Sequence, residues 1–110
     1  MARIVMSEEA VRDLEQIGDY IAQYHKSPKT ALSTIRKIKT RISELEVFPL
    51  IGTPLSAVVA VATDYRFLGC GSYLAFYRLQ NGNVLIDRIL HGRQDYISIL
   101  LKDVMEQDDL

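Results

Sequence analysis

Apolar positions in this chain change period twice, and the changes mark off its elements. ARIVM (2–6) is a short apolar run with β-branched Ile4 and Val5, and predicts a strand. Ser7, followed by Glu8 and Glu9, is a helix start, with acids at the positive end of the helix dipole. Ala10, Leu14, Ile17, Ile21 and Tyr24 then recur at spacings of three and four, predicting a helix from about 8 to 25. Pro28 restricts Ser27 to extended geometry and ends that run. A second helix is expected from near Pro28 to a stop before Pro49, with Ala31, Ile35, Ile38, Ile42 and Leu45 as its stripe. The short break makes the two helices an antiparallel hairpin.

Residues 49–64 have no clear period; a short extra strand and a buried loop are both open. From Tyr65 the period becomes two, in YRFLG, SYLAFYRLQ and NVLIDRIL. Asn81-Gly82 is a strong hairpin signal, because both residues tolerate the positive φ of a type I′ turn. Cys70-Gly71 is the expected turn before it. A last helix from about 94 to 106 carries Tyr96, Ile97, Leu100, Leu101 and Val104. The expected fold is α+β in one domain spanning 1–110. It has an N-terminal strand, a helical hairpin on a three- to four-stranded antiparallel sheet, and a C-terminal helix.

Those turns would set the register. Asn81-Gly82 pairs Gln80 with Asn83, Arg78 with Leu85, Phe76 with Asp87 and Ala75 with Arg88; Cys70-Gly71 pairs Arg66 with Ala75. Arg66 and Arg88 then flank Ala75 in one row, with Tyr73 and Tyr77 on the same face. Phe67, Leu74, Phe76 and Ile89 fall on the opposite face, expected beneath the two long helices. Two guanidinium forks beside tyrosines suit an anion or a protein partner. Equally open is a half-covered sheet, since Leu68, Leu79, Val84, Ile86 and Leu90 share the arginine face.

Composition narrows the class. At 110 residues, 48% hydrophobic and 25% charged, the chain matches a soluble globular protein that needs no metal or disulfide to hold a core. No run suits a membrane span or a signal peptide, and Cys70 stands alone, so a reducing cytoplasm is the expected compartment. Cys70 reads as a small apolar turn residue. The net charge of −1 argues against a general nucleic-acid binder. Yet residues 29–43 hold Lys29, Arg36, Lys37, Lys39 and Arg41 with no acid, which reads first as a solvated helix face. The last eight residues carry Asp103, Glu106, Asp108 and Asp109. No metal set, cofactor motif or triad is spelled out. His91-Gly92-Arg93, at the end of the last strand, reads from the residues alone as a corner between strand and helix.

RILHGRQDY (88–96), SYLAFYRLQNGNVLIDRIL (72–90) and SEEAVRDLEQIGDYIA (7–22) resemble the RelE/ParE toxin superfamily over nearly the whole chain. The resemblance implies the toxin of a type II toxin–antitoxin module, arresting growth and silenced by a cognate antitoxin. One branch of that superfamily poisons DNA gyrase; the other is a ribosome-dependent mRNA endonuclease. For the ribonuclease branch the resemblance nominates Arg66, Arg93 and Tyr96 as catalytic, but Leu68 and Leu74 stand where that branch carries further basic residues. RILHGRQD is closer to the ParE style. Arg66, Tyr73, Tyr77, Arg88, His91 and Arg93 are the expected antitoxin- or target-binding residues, with no cofactor. A relative that keeps only antitoxin binding is a third reading.

Overall fold

A computed structural model describes residues 1–60 and 62–108, with backbone alone beyond Lys102. In chain order the elements are β1 (Ile4–Met6), α1 (Glu8–Tyr24), α2 (Pro28–Ser43), β2 (Thr53–Pro54), β3 (Arg66–Cys70), β4 (Tyr73–Gln80), β5 (Asn83–His91) and α3 (Tyr96–Asp108). Short 3-10 turns follow α2 (Glu44–Glu46) and β2 (Leu55–Ala57).

Ser7 caps α1 as the sequence signals, and Ser27, held extended before Pro28, caps α2. Ser7 Oγ accepts from Ala10 N at 3.0 Å, and Ser27 Oγ accepts from Thr30 N at 3.1 Å with Pro28 in the first turn. The last helix begins at Tyr96, the first residue of its apolar stripe, and not at the expected 94. Asp95 caps it, accepting from Ser98 N and Ser98 Oγ.

The sheet is mixed and five-stranded, in the order β1-β5-β4-β3-β2, and not three- to four-stranded and antiparallel. β1 lies parallel to β5, pairing Ile4, Val5 and Met6 with Val84, Leu85 and Ile86. The region without period supplies the other edge. Thr53 and Pro54 pair with Phe67 and Arg66, and Leu55 then turns into the core, fully buried. Both open readings of that stretch are thus realised, a strand and a buried turn, and proline is tolerated because the strand is an edge.

Register departs from expectation at two points. The first hairpin turns at Gly71-Ser72, so Cys70 faces Tyr73, Leu68 faces Ala75 and Arg66 faces Tyr77. Gly71 carries the positive φ (+64°). The second hairpin is as expected from Gln80–Asn83 to Arg78–Leu85, but then a β-bulge intervenes. Tyr77 faces Ile86 and its neighbour Phe76 faces Arg88, leaving Asp87 as the extra residue. Each slip of one residue changes face. The row Arg66–Ala75–Arg88 therefore does not exist: Arg66 pairs with Tyr77 and Arg88 with Phe76, adjacent residues on opposite sides of β4.

The two faces also exchange covers. Leu68, Ala75, Tyr77, Val84, Ile86 and Ile89 form the core beneath α1 and α2 with Leu14, Ile17, Ile38 and Ile42. Phe76, Leu90, Phe67 and Leu74 pack instead with Leu55, Leu100 and Leu101, so that face is covered by α3 and the Leu55 turn.

Beyond Ile86, α1 takes over from β1 as the neighbour of β5. Ser7 N donates to Ile86 O, and Ser7 Oγ donates to Asp87 O at 2.7 Å. Asp13 Oδ2 accepts from Ile89 N at 2.9 Å, and Gln94 Oε1 accepts from His91 N at 2.8 Å. Side chains thus occupy hydrogen-bonding positions that a further strand would fill.

Candidate functional site

The six residues expected to contact a partner separate into two groups. At the foot of β3, Arg66 donates to Gly52 O at 2.8 Å and to Leu50 O at 3.4 Å. Tyr77, wholly buried, donates to Pro49 O at 2.8 Å and accepts from Gly52 N at 3.0 Å. Gly52 is required by this close approach: an added Cβ would lie 2.5 Å from the Tyr77 hydroxyl and 2.8 Å from Phe67 O. Together the pair fastens the 49–54 loop to the sheet. Burial raises the Tyr77 hydroxyl pKa, keeping it a neutral donor.

Arg88 is tied to α1. Its Nε and one terminal nitrogen reach Asp13 Oδ2 and Oδ1 at 2.8 and 2.9 Å, a bidentate pair on a carboxylate that is only 7% exposed. Between β4 and β5, Arg78 pairs with the bulged Asp87 at 2.8 Å and lies 5.4 Å from the Tyr65 ring centroid. Burial, with the hydrogen bond to Asp87, pushes the Tyr65 hydroxyl up to about 12. These clusters hold elements together.

The other three nominated residues gather at the far end of the sheet. Tyr73 and His91 pair across β4 and β5, their rings edge to face at 5.3 Å. His91 Nδ1 accepts from Arg93 N at 3.1 Å, and Gly92 N donates to Ser72 O at 2.9 Å. The His-Gly-Arg corner is thereby pinned to the β3–β4 turn and presents an exposed Arg93. Four residue steps along the strands separate this row from the Arg66–Tyr77 row, roughly 13 Å.

Around the corner lies a groove of about 1140 Å³ between the helical hairpin and the sheet end. α1 contributes Asp13, Gln16, Ile17 and Tyr20 at helical spacing, and α2 contributes Thr30, Thr34, Lys37 and Arg41. Arg41 ion-pairs with Glu44 and donates from Nε to Gly69 O at 3.1 Å. Burial and the neighbouring Tyr20 hydroxyl raise the pKa of Tyr73. Tyr20, Lys37 and Arg41 escaped the sequence reading, which took the basic run for a solvated outer face. The signal was present: 30, 34, 37 and 41 follow one helical line beside the apolar stripe.

Tyr96 does not join this site. It packs against Phe76 on the α3 side, ring centroids 5.2 Å apart. The three residues nominated for a ribonuclease are therefore dispersed: Arg66 at the start of β3 against the 49–54 loop, Arg93 at the groove and Tyr96 in the second core. Among the described residues, no group of three or more His, Cys, Asp or Glu could hold a metal ion. Nor is any described helix long and apolar enough to cross a membrane.

Comparison with solved structures shows where the fold recurs. The fold is shared with the chromosomal ParDE TA system from P. aeruginosa (TM-score 0.68, 22% identity, 83% of this chain and 96% of that one). It is also shared with the toxin–antitoxin complex RelBE2 from Mycobacterium tuberculosis (TM-score 0.56, 20% identity, 82% and 96%). The family described as ParE toxin of type II toxin–antitoxin system, parDE, matches residues 4–96. Toxin RelE2 of Caulobacter vibrioides is 33% identical over 92 residues, covering 84% of this chain and 97% of the relative. The chain belongs to the ParE toxin family, and is the toxin component of a type II toxin–antitoxin system.

Proposed function

We propose that this chain is a cytoplasmic toxin that arrests growth by acting on DNA gyrase through protein contact, and that a cognate antitoxin protein silences it. The dispersal of Arg66, Arg93 and Tyr96 carries the reading. Cleavage of a phosphodiester needs a base, a cation on the phosphate and an acid for the leaving oxygen, all within hydrogen-bond reach of one reacting centre. Here Arg66 is engaged by backbone carbonyls and Tyr96 packs beneath the other face of the sheet. Strands β3, β4 and β5 contain no lysine, and Leu68 and Leu74 belong to the two cores. Tyr73, His91 and Arg93 form the contact surface in this reading, while Arg66, Tyr77 and Arg88 support it.

The test is inhibition of gyrase supercoiling by the purified chain, alongside mapping of mRNA ends in cells induced without antitoxin. Inhibited supercoiling with intact mRNA is the expected result. The kinship with a toxin named RelE2 favours a second reading, a ribosome-dependent mRNA endonuclease. Codon-positioned mRNA cuts that vanish in Arg93→Ala would establish it and sink the first. Folded protein that does neither, and leaves growth untouched, would mark a non-toxic antitoxin-binding relative.

A further inference from the structure

Residues 47–63 hold no charged side chain, in a chain that is 25% charged overall. Apolar residues so far from any charge ordinarily go inside, and Leu55 does. Val47, Phe48, Leu50 and Ile51 stay outside, with Phe48 62% and Leu50 63% exposed. A turn closed by Ile51 N on Phe48 O at 3.1 Å sets those two residues beside each other. One exposed apolar side chain needs no explanation; a contiguous group does. Nor is the loop slack. The Tyr77 hydroxyl holds Pro49 O and Gly52 N, and Arg66 holds Leu50 O and Gly52 O. Apolar surface fixed in this way loses little entropy when it is covered.

What covers it follows from its borders. A strand-forming peptide finds little to pair with, because β2 is two residues long and Pro54 has no N–H to donate. A lipid surface is disfavoured by Glu44 and Glu46 just before the loop, and by the lack of any lysine or arginine from 47 to 63. A second copy of the chain meets neither obstacle. The net charge of −1 leaves almost no long-range repulsion between copies. Val47 to Ile51, with the exposed Thr53 and Pro54, leave about 500 Å² open, so two copies face to face bury roughly 1,000 Å², where specific but weak interfaces begin.

We propose that the 47–51 loop is a self-association surface, through which two copies of the toxin pair about a two-fold axis. Phe48 and Leu50 of each copy lie against the same loop of the other. The loop is fastened at the Arg66–Tyr77 end of the sheet, so pairing leaves the groove at the Tyr73–His91 end of each copy open. The pairing is independent of the target on which the toxin acts.

The test is sedimentation equilibrium of the purified full chain across the micromolar range. The weight-average mass is expected to climb from that of one chain toward that of two. Phe48→Asp and Leu50→Asp should each weaken pairing about tenfold or more, since a two-fold contact brings in both carboxylates at once. Leu32→Asp, at an equally exposed leucine on α2, should leave it unchanged. All three positions are exposed, and an unchanged thermal midpoint in dilute solution confirms folding. Vesicles of phosphatidylcholine and phosphatidylglycerol serve as the competing surface. A single-chain mass at every concentration, pairing indifferent to both loop substitutions, pairing weakened as much by Leu32→Asp, or flotation with vesicles that Phe48→Asp abolishes would each overturn the proposal.

Discussion

Single side chains in this protein earn their positions by what they close. Asp13 is the clearest case, since one buried carboxylate satisfies both Arg88 and the Ile89 amide. Asp13→Ala strands a guanidinium and an N–H together, and should lower stability by about 3 kcal/mol, read as a shift in the urea midpoint. Tyr77→Phe orphans Gly52 N and should cost about 2 kcal/mol by the same measurement. Gly52→Ala, whose Cβ collides with that hydroxyl, should loosen the 49–54 loop and speed its proteolysis. Titration gives a further expectation. Burial pushes the Cys70 thiol from its ordinary 9.0 to about 11, as burial and Asp87 push Tyr65 from 10.0 to about 12. Both groups hold their protons more tightly folded than unfolded. Their contribution is whole below the unfolded values and is lost as pH climbs through the folded ones. Urea midpoints should therefore fall from about pH 9 upward, and the fall should shrink in Tyr65→Phe. Native Cys70 should also resist alkylation at neutral pH.

Among elements, the three helices and every strand but β2 were legible because each announces itself locally. Ser7 caps where the sequence places it, and Asn81-Gly82 turns with φ of +54° and +79°. Gly82→Ala should cost about 1 kcal/mol in thermal or urea unfolding, since its left-handed backbone disfavours a side chain. Sheet register was less legible. Gly71 belongs to the first turn in either alignment, and sequence does not say whether it takes the first or the second turn position. The bulge at Asp87 was hidden for a different reason: its partners, Ser7, Tyr65 and Arg78, come from three separated segments. One slipped residue at each hairpin sent Arg66 and Arg88 to opposite faces and exchanged the covers of the sheet. The candidate site was legible in its corner, Tyr73, His91 and Arg93. Its walls were not, because Tyr20 and Lys37 join it only when the helical hairpin lies down on the strands. Whether Asp103, Glu106, Asp108 and Asp109 meet the basic helix falls outside the described side chains.

At the scale of the whole molecule, the fold divides labour between two ends of one sheet. The Arg66–Tyr77 end fastens a loop and the Tyr73–His91 end opens onto the groove, so substitutions at the two ends should separate stability from binding. Lys37→Glu and Arg93→Glu should leave the thermal midpoint near wild type while Asp13→Ala lowers it. Sealing β5 with Ser7, Asp13 and Gln94 has a consequence for colloidal behaviour. A toxin must survive at least briefly without its antitoxin, and a bare ribbon margin would invite copies to polymerise. Here that margin is plugged from within the same chain. Removing the plug at Asp13 should show itself first as lost soluble yield, before any change in the residues that meet a partner.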